Sequence, residues 1–190
     1  VQIGGKNEAG IIYKMRVNWN GGIFMKKMNT RKLALLAMMI ALTTVGTMLV
    51  QIPAIVAHGY INFGDTFLML TGLLLGPAAG MVAGGLGSAL ADLISGYAIY
   101  APITLIVKGL EGFLCGWIYK KQKQKHAIAA ALAGGILMVL GYFIGECFLY
   151  GPAGAAASVF GNSLQGVTNA LLATLLNRQL SRVLKKVIYE

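Results

Sequence analysis

The charges of this chain are confined to a few short stretches. Of its 16 lysines and arginines, seven lie at or before Lys32, four between Lys120 and Lys125, and four between Arg178 and Lys186. Only Lys108 stands apart. Between these clusters run apolar segments close to the ~20 residues that a helix needs to cross a bilayer. Short basic clusters flanking apolar spans are the positive-inside signature. Composition agrees: 12% of the residues are charged and 57% apolar, against about 25% charged in a soluble domain. So few charges cannot cover a globular surface. The chain reads as an all-α integral membrane protein, neither disordered nor a disulfide scaffold. Its 26 glycines show no three-residue period, which excludes collagen. The net charge of +10 comes from the loop clusters, not from a basic groove interleaved with aromatics, so no nucleic acid is expected as a partner.

Parity sets the number of crossings. The first apolar run, 33–50, ends at Gln51-Ile52-Pro53. The basic clusters before Lys32 and at Lys120–Lys125 must lie on the same, inner side, so an even number of crossings separates them. The spans 33–50 and 101–119 supply two. The stretch 63–97 must therefore cross twice, and Gly76-Pro77 is its strong break. This gives spans at 63–75 and 77–97. After the basic loop come 127–148, a turn at Tyr150-Gly151-Pro152, and a last span at 158–184. Six transmembrane helices with both termini cytoplasmic result. The three outer loops, near 51–62, 97–101 and 149–157, hold no Lys or Arg. Residues 1–24 have no clean periodicity and no cleavable signal. They read as a poorly ordered tail or a mis-assigned start, since Met25-Lys26-Lys27-Met28 resembles a natural beginning. The membrane domain is 25–190.

Ionisable groups inside spans cost roughly 2.5–3.5 kcal/mol each on insertion scales, so they are informative. At ~1.5 Å per residue, Asp65 starts its span at the outer face, Asp92 lies ~8 Å deep, Lys108 ~10 Å and Glu111 ~15 Å. Asp92 and Lys108, at similar depth on consecutive helices, are expected to pair, with Glu111 reachable from Lys108 at i+3. That cluster neutralises itself between helices, faces a polar solute, or does both. Asn162, Gln165 and Asn169 share one helix face. Tyr142 and Glu146 share another, and Tyr97, Tyr100 and Tyr150 lie near the outer ends. Read blandly, these are interhelical hydrogen bonds and an interfacial aromatic belt. Their convergence near one face reads instead as a small pocket with apolar walls and a few aimed polar groups.

Small residues form two further patterns. Gly76, Gly80, Gly84, Ser88, Asp92 and Gly96 recur every fourth residue, a stripe for close helix packing or for a partner. Ala34, Ala37 and Ala41 form a flat face on the cytoplasmic half of the first span, suited to docking a second membrane protein. No GxxxxGK[ST] loop, HExxH or serine with a credible histidine partner occurs, and no inverted repeat of the transporter type is visible. No enzyme chemistry, metal or cofactor is expected. Cys115 and Cys147 fall near opposite membrane faces, which argues against a disulfide. The histidines His58 and His126 are isolated.

Several stretches carry a resemblance: Ile61-Asn-Phe-Gly-Asp65-Thr, Leu75-Gly-Pro-Ala-Ala-Gly80, Gly87-Ser-Ala-Leu-Ala-Asp92-Leu, Gly96-Tyr-Ala-Ile-Tyr-Ala-Pro102 and Ile106-Val-Lys108-Gly-Leu-Glu111-Gly. They resemble the substrate-binding S-components of energy-coupling factor (ECF) vitamin transporters, in the branch of hydroxymethylpyrimidine (thiamine precursor) and pyridoxine binders. The resemblance covers about 25–190 and is most specific over 61–116. It implies a six-helix bundle in the cell membrane of a bacterium, with an outer pocket capped by the loop 51–62. It implies docking onto a membrane scaffold, the T-component, through an AxxxA face that Ala37-Met-Met-Ile-Ala41 matches. Two cytosolic ATP-binding-cassette ATPases would drive transport, with the S-component toppling in the bilayer. The first 24 residues depart from the family pattern.

The sequence thus reads as a vitamin-binding importer subunit without covalent chemistry. The expected pocket is Tyr97, Tyr100, Lys108, Glu111, Tyr142, Glu146, Asn162, Gln165 and Asn169, with His58 or Tyr60 from the lid and Asp92 orienting Lys108. Two rivals are a self-contained facilitator or channel for a small polar solute, and a structural membrane protein whose polar stripes only glue helices.

Overall fold

A backbone crossing hydrocarbon must satisfy its own N–H and C=O groups, which dictates helix for these apolar runs. The computed structural model describes residues 30–49, 51–53 and 60–189, with the side chains of 52–53 and 182–189 excluded. The expected tail 1–24 and His58 lie outside the described residues. The elements are α1 (Thr30–Leu49), β1 (Ile52–Pro53), β2 (Tyr60–Ile61), α2 (Gly64–Leu75), α3 (Pro77–Ile94), α4 (Ala101–Lys121) and α5 (Ala127–Tyr189). The two-residue strands pair antiparallel, Ile52 opposite Ile61 and Pro53 opposite Tyr60. α1, α3, α4 and α5 are long and apolar enough to cross a membrane, whereas α2, with 12 residues, is shorter. Large apolar side chains face outward, among them Phe148 at 87% and Phe160 at 80% exposure, a surface suited to lipid. The chain is an all-helical, multi-pass integral membrane protein.

Two glycines make the sharp reversals. Gly76, at φ 93°, ends α2, and Pro77 opens α3 at the first helical position, where its missing N–H costs nothing. Gly151, at φ 75°, interrupts α5 just before Pro152. A straight 63-residue helix would run ~95 Å, about three times the hydrocarbon thickness. Instead the arms 127–150 and 152–189 fold back on each other: Ala130 and Ala131 cluster with Ala170 and Ala173, and a Cβ on Gly135 would touch Gly166. The second arm resumes helix at Pro152, not at 158 as expected. Proline fixes the first helical φ, and the alanine-rich run Ala153–Ala157 favours helix at once. α3 stops at Ile94 rather than at 97, where Gly96 takes φ 86°.

Packing follows the small residues. α3 and α4 run antiparallel at very short range. A Cβ on Gly80 would come within 2.5 Å of the Gly112 carbonyl oxygen, and one on Gly116 within 2.8 Å of Pro77. α2 runs parallel to α4, since Asp65 meets Lys108 and Gly72 meets Gly116. Across α1 and α3, Thr44 Oγ1 donates to the Gly87 carbonyl at 2.9 Å. The glycine stripe of α3 is therefore internal packing. Leu68, Met69, Leu73 and Cys115 fill the core with the alanines of α5, while Leu36, Met39, Leu70 and Ala83 form a second cluster. With this alternation of directions, the starts of α1 and the ends of α4 and α5 gather at one end of the bundle. That basic end carries Arg31, Lys120, Lys121 and Arg178. The strand pair and the reversals after α3 and at Gly151 lie at the other, the lid end.

Replacing Gly112 by Leu is expected to wedge α3 from α4 at a cost of about 1–3 kcal/mol or more, read as a lowered melting temperature in detergent. Gly109→Ala, whose new Cβ stays 3.4 Å from its nearest neighbour, should melt with the parent. Equal melting of the two variants would refute the close helix contact.

Candidate functional site

α2 begins inside the bundle, so the free N–H groups of its first turn need partners. Phe63, at its N-cap, supplies no side-chain bond. Asn62 Oδ1 accepts the Gly64 N–H at 2.9 Å, and Asn169 Oδ1, from the second arm of α5, accepts the Thr66 N–H at 3.2 Å and the Thr66 hydroxyl at 2.5 Å. Asn169 Nδ2 in turn donates to the Asn62 carbonyl at 2.9 Å. Asp65, in the first turn, also suits the positive end of the helix dipole. Asn162, Gln165 and Asn169 do lie on one stripe. Gln165 and Asn169, however, are engaged in holding the chain at 62–66.

Beneath this start lies the buried ion cluster. Lys108 Nζ donates to Asp65 Oδ1 at 2.6 Å and to Glu111 Oε2 at 3.1 Å, with all three side chains at 2% exposure or less. Gln165 joins the network, its Nε2 donating to Asp65 Oδ2 at 2.7 Å while its Oε1 accepts the Asn62 N–H at 2.9 Å. The expected pair of Asp92 with Lys108 does not form: Asp65 takes the ammonium. The reason is depth. α2 enters low enough to bring Asp65 level with Lys108, two turns into α4, whereas the sequence reading set Asp65 at the membrane face. Asp65, absent from the expected site, is thus a central residue. Its signal was the shortness of the span it starts.

Nearer the lid end, aromatic rings and carboxylates alternate. Tyr60 of β2 donates its hydroxyl to Asp92 Oδ1 at 2.6 Å, and its ring lies 4.8 Å from that of Tyr97. Burial, then the bond to Asp92, raises the Tyr60 phenol above its usual pKa, so it stays protonated and donating. Tyr100, buried, packs against Tyr150 with ring centroids 6.1 Å apart. Tyr142 Oη and Thr104 Oγ1 share a hydrogen bond at 3.0 Å, and Lys108 Nζ sits 5.4 Å from the Tyr142 ring centre. Glu146 accepts the Ser158 hydroxyl, and Asn162 Nδ2 donates to Ser158 Oγ at 3.4 Å. Ser158 and Thr104 escaped the sequence reading. Ser158 was within reach of it, since it extends the 162, 165, 169 stripe by one turn. The lid strand pair is tied further by Gln51 Nε2 donating to Ser95 Oγ at 3.0 Å. Ala34, Ala37 and Ala41 all lie exposed on α1. Cys115, buried, and Cys147, half-buried, are both free.

The arrangement sets a hydrogen-bonded polar layer beside a group of tyrosines, one of which, Tyr60, comes from β2. Its chemistry is that of holding: it offers hydrogen-bond acceptors, hydroxyl donors and aromatic faces. Removing the ammonium alone, as in Lys108→Met, strands two buried carboxylates and is expected to cost about 3–5 kcal/mol. Adding Asp65→Asn should restore part of that loss in a double-mutant cycle read by detergent unfolding. Additive losses would show that the two groups do not interact.

The family model described as "ECF-type riboflavin transporter, S component" matches residues 27–182. A Pyrococcus woesei protein described as "Uncharacterized protein in gap 3'region" is 45% identical over 130 residues, covering 68% of this chain and 87% of that protein. The thiamine precursor transporter HmpT of Lactococcus lactis subsp. cremoris (strain MG1363) is 31% identical over 159 residues, 83% of this chain and 92% of its own length. With the family match running through α1 to α5 and taking in every residue of the polar layer, the chain belongs to the ECF-type riboflavin transporter S-component family.

Proposed function

We propose that this chain is the vitamin-binding S-component of an ATP-driven ECF importer, taking a one-ring heterocycle such as hydroxymethylpyrimidine or pyridoxine from outside the cell. The observation that carries the reading is the contrast between the two halves of the bundle. Tyrosines and buried carboxylates collect toward the lid end, and the half below them is closed by a mainly apolar core in which Asn177 Nδ2 donates to the Tyr119 hydroxyl at 3.2 Å. A facilitator would need a polar path through that lower half. The thiamine precursor transporter among its relatives supports hydroxymethylpyrimidine as the substrate.

In this reading the lid end faces outward and the basic end faces the cytoplasm, as the positive-inside rule requires. The helices α1 to α4 and the two arms of α5 make six crossings, with both termini inside a bacterial plasma membrane. Tyr97, Tyr100, Tyr142, Glu146 and Asn162 contact the ligand under Tyr60, and His58 belongs to the same lid. Lys108 and Glu111 form the floor. Gln165 and Asn169 hold the start of α2 in place. Ala34, Ala37 and Ala41 dock the T-component, and the paired ATPases supply the energy. This chain performs no covalent chemistry.

The first test is mass spectrometry of small molecules released by denaturing the chain purified alone. A heterocyclic vitamin at one per chain is the expected result. Glu146→Ala should lower affinity for that molecule at least tenfold while the protein stays folded; unchanged affinity would remove Glu146 from the pocket. The double variant Ala37→Leu/Ala41→Leu should bind ligand normally but fail to co-purify with the T-component. Solute flux in liposomes holding this chain alone would replace the S-component reading with the facilitator.

A further inference from the structure

The basic end of the bundle plays no part in the ligand binding just proposed. Lys120, Lys121, Lys123 and Lys125 stand exposed where α4 turns toward α5. The turn that carries them is tightly specified. Lys123 and Gln124 take left-handed φ values of 53° and 63°, uncommon for residues other than glycine. The Lys123 N–H donates to the Lys120 carbonyl at 3.1 Å, and the Gln124 N–H to the Tyr119 carbonyl at 2.9 Å. Four ammonium groups are thereby gathered on one short turn. No carboxylate balances them: among the described residues Asp65, Asp92, Glu111 and Glu146 are all buried inside the bundle, and none of the four lysines forms an ion pair there. Lys120 and Lys121 lie in the last turn of α4 and suit the negative end of its dipole. That end carries roughly −0.5 elementary charge, well short of four cations.

The face of α4 leading to this turn is apolar. Helical spacing puts Ile106, Leu110, Phe113, Trp117 and Lys121 on one exposed face. The first four are large outward-facing hydrophobics, as on a helix in contact with lipid. The stripe ends where Lys121 Nζ lies 4.7 Å from the centre of the Trp117 ring. Tryptophan favours the depth of the lipid headgroups, so this pair marks that depth, with the other lysines beside it.

We infer that this corner of the molecule binds an anionic phospholipid, its acyl chain along the α4 stripe and its phosphate among the lysines of the 120–125 turn. The junction of the two features selects the occupant. An acidic protein segment would satisfy the lysines and leave the stripe uncovered. A neutral lipid would cover the stripe and leave the charges unbalanced. An anionic lipid does both with one molecule, since basic residues at a membrane surface attract anionic headgroups. The positive-inside rule explains which side the lysines occupy. It requires neither their concentration in one turn nor their junction with an apolar stripe that ends in tryptophan.

Tryptophan fluorescence of the full chain in phosphatidylcholine bilayers tests this. The chain has two tryptophans, Trp19 and Trp117, so Trp19→Phe isolates the second. Lipids brominated on their acyl chains quench it on contact. At equal mole fraction, brominated phosphatidylglycerol should quench about threefold more than brominated phosphatidylcholine, and high salt should shrink that ratio. Changing Lys120, Lys121, Lys123 and Lys125 to Gln should bring the ratio to one. Changing the same number of cations elsewhere, Arg178, Arg182, Lys185 and Lys186, should leave most of it. Equal quenching by the two lipids in the parent chain would overturn the proposal. An equal loss in both fourfold variants would overturn it too, as attraction to net charge without a site. Equal quenching together with loss of T-component co-purification in the turn variant alone would assign the lysines to a protein partner instead. If the turn variant does not fold, the ratios of the parent and of the 178–186 variant still decide.

Discussion

The ammonium of Lys108, fixed between Asp65 and Glu111 in the middle of an apolar bundle, is the interaction on which the rest of the architecture hangs. An ion taken out of water costs several kcal/mol even after relaxation, so it persists only where partners at close range compensate it. That requirement sets where α2 must start. Asp65 can reach Lys108 only if the chain dips into the bundle before turning helical. The 12-residue length of α2 follows: ~18 Å of helix suffices from that depth to the basic end. The dip exposes helix N–H groups to a dry interior, and Asn62 and Asn169 answer that need. One buried charge thus accounts for a short helix, a lid strand carried inside, and a polar stripe on the second arm of α5.

The same logic divides the bundle by depth. Toward the basic end, glycines and alanines let backbones approach until carbonyls nearly touch Cα atoms, and the core is apolar. Toward the lid end, side chains are larger and hydroxylated, and the backbone segments between helices are held by side-chain hydrogen bonds instead of by close packing.

Much of the fold was legible along the chain. Basic clusters, loops without cations, and the Gly-Pro pairs at 76–77 and 151–152 mark where apolar helices begin and turn, because each signal is local: desolvation of charge, a left-handed φ, a fixed proline φ. The candidate site was legible in its parts. Tyr142, Glu146, Lys108, Glu111 and the 162, 165, 169 stripe do lie on the faces that helical spacing assigns them. Their pairing was not legible. Equating the start of a span with the membrane surface put Asp65 too high and gave Lys108 to Asp92, and no periodicity could correct it.

What the sequence determined by itself is the medium and the material. It specified an all-helical membrane bundle, its reversals, and the few polar residues that must find partners inside it. These follow from transfer free energies and backbone sterics, which act residue by residue. What only the tertiary structure decided is which polar group meets which: Asp65 with Lys108, Tyr60 with Asp92, Ser158 with Glu146. Such partners are set by the relative depth and approach of helices far apart in sequence. That depth is fixed by the glycine contacts and the buried ions acting together, a balance that no single segment carries.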